Sequence, residues 1–261
     1  VFLKRIRTVV KKLLLILILV FPFNSFAVIA FDAVTSSICS SCGTTKTLSH
    51  TPVGTPDLIV ACSMGQANPG VAGVSTWTYG GQNMSEAVEL TGVENGDISI
   101  WYLASPPSGA QSAVVTWGAS VPSDHAGIAI MSLTGAGGVG SNNKGSQNTA
   151  NLSLTLTGVD TDAWMVDCFF IASDTTTATT AGSGQTERWD LVFTDNRQGT
   201  GSTEPDPTAD GIMTYTLGGS KAVGYAAVEI TASVAGAAVE EQPYGNFLWN
   251  IYESINKFLF A

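Results

Sequence analysis

From residue 28 to about residue 230 the chain alternates apolar and polar side chains in short bursts, each closed by Gly, Pro, Asn or Asp. A period of two puts successive side chains on opposite faces of an extended strand, whereas a helix needs its apolar residues three or four apart. The bursts run Ile29 to Val34, Asp57 to Cys62, Val74 to Tyr79, Ser85 to Leu90, Asp97 to Leu103 and Ala113 to Trp117. They continue Gly127 to Thr134, Ala150 to Leu156, Trp164 to Ala172, Glu187 to Phe193, Gly211 to Leu217 and Ala222 to Ile230. About 12 short strands are too many for one open sheet. The predicted fold is therefore all-β, an antiparallel two-sheet β-sandwich, jelly-roll-like or immunoglobulin-like. Tyr79-Gly80-Gly81-Gln82 and Glu94-Asn95-Gly96-Asp97 have the composition and spacing of hairpin turns. Gly135 to Asn148 and Gly199 to Asp210, rich in Gly, Ser, Asn or Pro, read as long loops.

Both ends depart from this pattern. Five of the eleven basic residues, Lys4, Arg5, Arg7, Lys11 and Lys12, precede the apolar run Leu13 to Phe23 and the small-residue site ending at Ala27. That order is a secretory signal, so residues 1–27 are expected to be removed and the protein to work outside the cytoplasm, secreted or at the cell surface. The run is broken by Pro22 and falls short of the roughly 20 residues a membrane span needs. Residues 28–234 read as one sandwich domain. In the tail, 235–261, Phe247, Leu248, Ile251, Tyr252, Ile255, Phe258 and Leu259 fall at helical spacing, which predicts a short amphipathic helix. It docks on the sandwich or supplies the one means of membrane contact. Beyond residue 27, six basic residues face 21 acidic ones, a net charge of −15. Such a domain repels phosphate backbones, so no nucleic-acid partner is expected.

Four cysteines remain: Cys39 and Cys42 in a C-x-x-C, then Cys62 and Cys168 on predicted strands. An even count outside the cytoplasm favours disulfides. Three pairings are open, and Cys39 with Cys42 plus Cys62 with Cys168 is taken first. A redox-active pair would need a helix to lower a thiol pKa, and a zinc site would need Cys62, Cys168 or His50 beside the motif.

Each chemical motif meets an objection in its context. Gly135 to Gly140 matches G-x-G-x-x-G, but a strand pattern follows where a diphosphate would need a helix N-terminus. Ser123-Asp124-His125 are consecutive and cannot relay a proton among themselves, and no G-x-S-x-G elbow occurs. Paired carboxylates for glycoside hydrolysis would be marked only by their distance in the fold. No cofactor is expected, and no enzyme. The one ion the spacing suggests is a structural calcium held by Glu204, Asp206, Thr208 and Asp210, with Asp160 and Asp162 as further donors. Trp77, Tyr79, Trp101, Tyr102 and Trp189 are the candidate ligand-binding residues, as faces on which a sugar stacks. With Trp117, most of them also suit a core, and of Trp101 and Tyr102 the outward-facing ring is the better ligand candidate. Asn83-Met-Ser85 and Asn151-Leu-Ser153 fit the glycosylation acceptor, which matters only in a host that glycosylates.

Phe31-Asp32-Ala33, Ser49-His50-Thr51, Val74 to Gly81, Trp101 to Gly109 and Leu133-Thr134-Gly135 occur in a familiar order. So do Gln185 to Trp189, Gly201 to Pro205 and Ala226 to Ile230. Together they resemble a poorly characterised β-sandwich module of bacterial, archaeal and phage-associated secreted and surface proteins, found beside laminin-G-like and immunoglobulin-like domains. The resemblance covers most of residues 30–232, and the cysteines and the tail lie outside it. It implies a non-catalytic structural or adhesive role toward a cell-surface or extracellular protein or glycan. The alternatives are a carbohydrate-binding module and a secreted glycoside hydrolase or other hydrolase.

Overall fold

The computed structural model describes residues 27–40, 42–65, 73–91, 97–121, 126–172, 179–193, 197–205, 207 and 210–233. Residues 1–26 of the expected signal, the predicted tail helix and the Ser123-Asp124-His125 run lie outside them. Residues 26–233 form one compact unit.

Fifteen strands and no helix occur among the described residues. They are β1 (Ala30–Ile38), β2 (Gly43–His50), β3 (Leu58–Gly65), β4 (Val74–Tyr79), β5 (Gln82–Asn83), β6 (Ser85–Leu90), β7 (Asp97–Ala104) and β8 (Gln111–Val121). The remainder are β9 (Ala126–Thr134), β10 (Ala136–Thr157), β11 (Trp164–Ile171), β12 (Thr180–Ala181), β13 (Thr186–Val192), β14 (Gln198–Pro205) and β15 (Asp210–Ala232). Every pairing is antiparallel, and the strands form three sheets instead of the two expected: β1-β9-β3-β7-β6, β2-β8-β4-β5 and β10-β15-β11-β14-β13, with β12 also on β15.

The five-stranded sheet is the central layer. Its Ile59, Ala61, Trp101, Ile128 and Ile130 pack with Trp77, Tyr79, Val115 and Trp117 of the four-stranded sheet. On its other face Val60, Cys62, Ile100, Met131 and Leu133 pack with Val166, Cys168, Phe170, Val228 and Ile230 of the six-stranded sheet. Burial on both faces leaves no polar side to alternate, which is why Leu58 to Met64 is buried throughout. Cys62 and Cys168 are joined across this second interface, 106 residues apart in sequence, and Cys39 is joined to Cys42 between β1 and β2.

The two expected long loops are largely strand. Residues 136–149 form the first half of β10, a polar edge held by its backbone ladder to β15. Residues 198–203 lie buried in β14 because Gly199 and Gly201 let neighbours close on the backbone. A Cβ on Gly201 would collide with the Trp189 indole, and one on Gly199 with Met64. These glycines serve close approach, not a turn. The Tyr79 to Gln82 hairpin does form, with Gly80 and Gly81 at φ of 57° and 79°, as a type I′ turn requires.

β10 and β15 make a long ribbon that folds over. Thr149 pairs with Lys221 and Asn151 with Thr216, so one residue of β10 faces four of β15 at Gly218-Gly219. Both glycines have positive φ, 59° and 148°, a bend other residues reach only under strain. Beyond it the distal arm lies on the outer face of its own sheet. Phe169 pairs with Tyr225 on the near half of β15, yet its ring meets Tyr215 of the far half at 4.4 Å.

Candidate functional site

Polar groups inside this all-strand body gather in two networks. The first joins β1, β2 and β9. The Ser132 hydroxyl donates to Asp32 Oδ2 at 2.7 Å, and His50 Nε2 lies 3.1 Å from Ser132 Oγ. Because that hydroxyl spends its one proton on Asp32, the imidazole carries its hydrogen on Nε2 and donates to Ser132. Its Nδ1 then accepts from Thr35 Oγ1 at 3.0 Å. Serine, histidine and aspartate meet here in the wrong order for a hydrolase, since the nucleophile's proton points away from the imidazole that would have to remove it. Burial lowers the His50 pKa, with Asp32 pulling the other way. His50 and Ser132 are fully buried, so no substrate reaches them. Tyr79 lies close by, its ring 6.2 Å from His50, and burial, with Asp32 adding to it, raises its phenol pKa.

The second network lies under the folded arm. Asp167 Oδ1 accepts the backbone N–H of Ser202 at 2.6 Å and the Tyr215 hydroxyl at 3.0 Å. Burial, the largest influence, raises the Asp167 carboxyl to about 7, with Ser202 and Tyr215 opposing it and Glu204 adding to it. Gln185 bridges Ser202 Oγ, at 3.0 Å from its Nε2, to the backbone N–H of Thr214, at 2.7 Å from its Oε1.

Carboxylates holding backbone N–H groups recur across the fold. Asp32 accepts from Val53 and Gly54 at 3.1 and 2.7 Å, and Asp57 accepts from Gly135 at 2.6 Å. Glu89 accepts from Val74 at 2.6 Å, and Glu229 accepts from Ser141 and Asp160, each at 2.8 Å. Each bond ties together two segments distant in sequence.

The residues singled out in the sequence are dispersed. Trp77, Tyr79, Trp101 and Trp189 are buried. Their faces pack against core neighbours and offer none to a sugar, so they form no stacking platform. Neither Trp101 nor Tyr102 points outward, because their sheet is covered on both sides: Trp101 packs in one core and Tyr102, half-buried, against the other. Of the calcium candidates, Asp206, Thr208 and the side chain of Asp210 lie outside the described residues. Glu204, next to last in β14, has Oε2 buried and unpartnered, its pKa raised by burial. Asp160 and Asp162 line a cavity of about 220 Å³ with Thr161, Ala163, Thr231 and Ala232. Among the described residues no three His, Cys, Asp or Glu side chains converge as metal ligands. Sequence reasoning missed Asp32, Ser132, Asp167 and Glu229. The signal was present for two of them: Asp167 in Met165-Val-Asp-Cys-Phe and Glu229 in Ala227-Val-Glu-Ile interrupt otherwise apolar strands.

No protein-family model matches the chain, and no curated protein does. Among solved structures, one titled for red clover necrotic mosaic virus aligns over 78% of this chain and 98% of its own, at 7% identity and a TM-score of 0.21. A likeness that faint carries no argument.

Proposed function

We propose that the chain is a non-catalytic structural or adhesive β-sandwich module of a secreted or cell-surface protein, working outside the cytoplasm on an extracellular protein or glycan partner. The observation that carries this reading is the use of carboxylates: Asp32, Asp57, Glu89, Asp167 and Glu229 all accept backbone N–H groups. Each of these carboxylates spends an oxygen on the chain's own backbone, which is a structural use. A cross-link between the central and six-stranded sheets suits an oxidising compartment, and the motifs from Phe31-Asp32-Ala33 onward resemble a module of surface proteins. Burial of Trp77, Tyr79, Trp101 and Trp189 weighs against the carbohydrate-binding alternative.

The test is a binding and turnover panel on the purified full chain. Beads coated with it should attach to cells or matrix of the producing organism's environment, with no turnover of ester, glycoside or peptide substrates. Saturable binding on a glycan array would move the reading to a carbohydrate-binding module. Turnover that survives repurification would replace it with a hydrolase.

A further inference from the structure

The network under the folded arm holds more chemistry than a structural role uses. Ser202 is fully buried, and its hydroxyl is hydrogen-bonded to the Asp167 carboxyl. It also receives Nε2 of Gln185 at 3.0 Å. The carbonyl end of that carboxamide is held by the Thr214 N–H at 2.7 Å. A hydroxyl, a carboxylate to take its proton, and a carbonyl whose oxygen faces a fixed N–H donor are the parts of an acyl transfer. Burial decides the acyl donor. No outside substrate can approach Ser202, and the carbonyl beside it belongs to Gln185.

We propose that Ser202 and Gln185 join as an intramolecular ester with release of ammonia, linking β14 covalently to the turn before β13. With Oε1 kept on the Thr214 N–H, Ser202 Oγ moves over the face of the carboxamide and bonds to Cδ while Asp167 accepts the hydroxyl proton. Charge gathers on Oε1, opposite the Thr214 N–H. The Cδ–Nε2 bond then breaks as Asp167 returns the proton to the leaving nitrogen, and ammonia departs. Nothing is oxidised or reduced, no co-reactant is consumed, and each chain reacts once.

Three features favour the step. The reacting groups are held together by the fold, which removes the entropic cost of bringing them into contact. Asp167 titrates at about 7 because it is buried, which suits a group that must both take and give a proton near neutrality. Burial of Ser202 shields its side of the ester from water, while ammonia leaves past the partly exposed Gln185. The inference goes beyond the structural role and stands or falls independently of it.

The experiment is peptide mapping of the full chain after reduction and denaturation. Cleavage after Lys144, Arg188, Arg197 and Lys221 places Gln185 in peptide 145–188 and Ser202 in peptide 198–221. The expected result is one linked species whose mass is the sum of the two less one ammonia, and hydroxylamine splits it. Ser202→Ala and Asp167→Asn should return both peptides unlinked at full mass, with the Cys62–Cys168 bond of each variant reporting that it has folded. Unlinked peptides from folded wild-type protein held at neutral pH would overturn the proposal. So would a link that resists hydroxylamine or persists in Ser202→Ala.

Discussion

Tyr215 donates its hydroxyl to Asp167 Oδ1 at 3.0 Å from the far half of a strand whose near half, at Ala227, already pairs with Asp167. One strand thus touches the same residue twice, once through its backbone ladder and once through a side chain folded back over the sheet. The Gly218-Gly219 bend makes this geometry available, and it seals a carboxyl inside the protein.

That burial has a pH signature. An acid whose folded pKa, about 7 for Asp167, exceeds its unfolded value near 4 binds more protons folded than unfolded between those limits. The contribution of Asp167 to stability is therefore fully present below about pH 4 and is lost as pH rises toward 7, by of the order of 4 kcal/mol. Asp167→Asn keeps an acceptor for Tyr215 and Ser202 and removes the titration. Urea midpoints from pH 4 to 8 should fall more steeply for wild type than for the variant. Glu89, Glu187 and Glu204, also raised by burial, leave a shared residual slope in both.

The Cys62–Cys168 bond closes a span of 106 residues, and loop-closure entropy for a span near that length is worth about 4 to 5 kcal/mol. The Cys62→Ala, Cys168→Ala double variant should lose most of that in denaturant melts. Removal of Cys39–Cys42, separated by three residues, should cost far less.

Trp101→Ala removes a ring packed among Ile59, Ala61 and Ile128. The expected loss is ~3 to 5 kcal/mol, with no change in any glycan binding. A melt equal to wild type would place the ring on the surface instead.

Glu229 ties Ser141 and Asp160 to β15. Glu229→Ala removes the acceptor from both amides, at about 1 kcal/mol for each bond lost, since water reaches the half-buried Ser141 and the exposed Asp160. Hydrogen exchange should quicken at those two amides before it quickens at the core of β11.

The strands of this fold were legible where one face is wet. Val74 to Tyr79 and Gln111 to Val121 alternate because the four-stranded sheet has one covered face, and Gly80-Gly81 named its own turn. What escaped has physical causes. A third sheet could not be read because Leu58 to Met64 and Gly127 to Leu133, buried on both faces, lose the alternation that counts layers. β10 and β14 read as loops because glycine marks close approach at Gly201 as readily as it marks a turn at Gly80. The networks depend on pairs such as Asp32 with Ser132, 100 residues apart, and no local pattern brings those together. The aromatic residues announced themselves, but spacing alone could not assign them to a surface or to one of two cores.

The most direct test of the central claim is fractionation of the producing cells with thiol trapping on the full chain. An extracytoplasmic module should be found at the surface or in the medium, lacking residues 1–27, with no cysteine reacting with maleimide until it is reduced. Protein recovered from the cytosol with residues 1–27 attached and four reactive thiols would contradict the account.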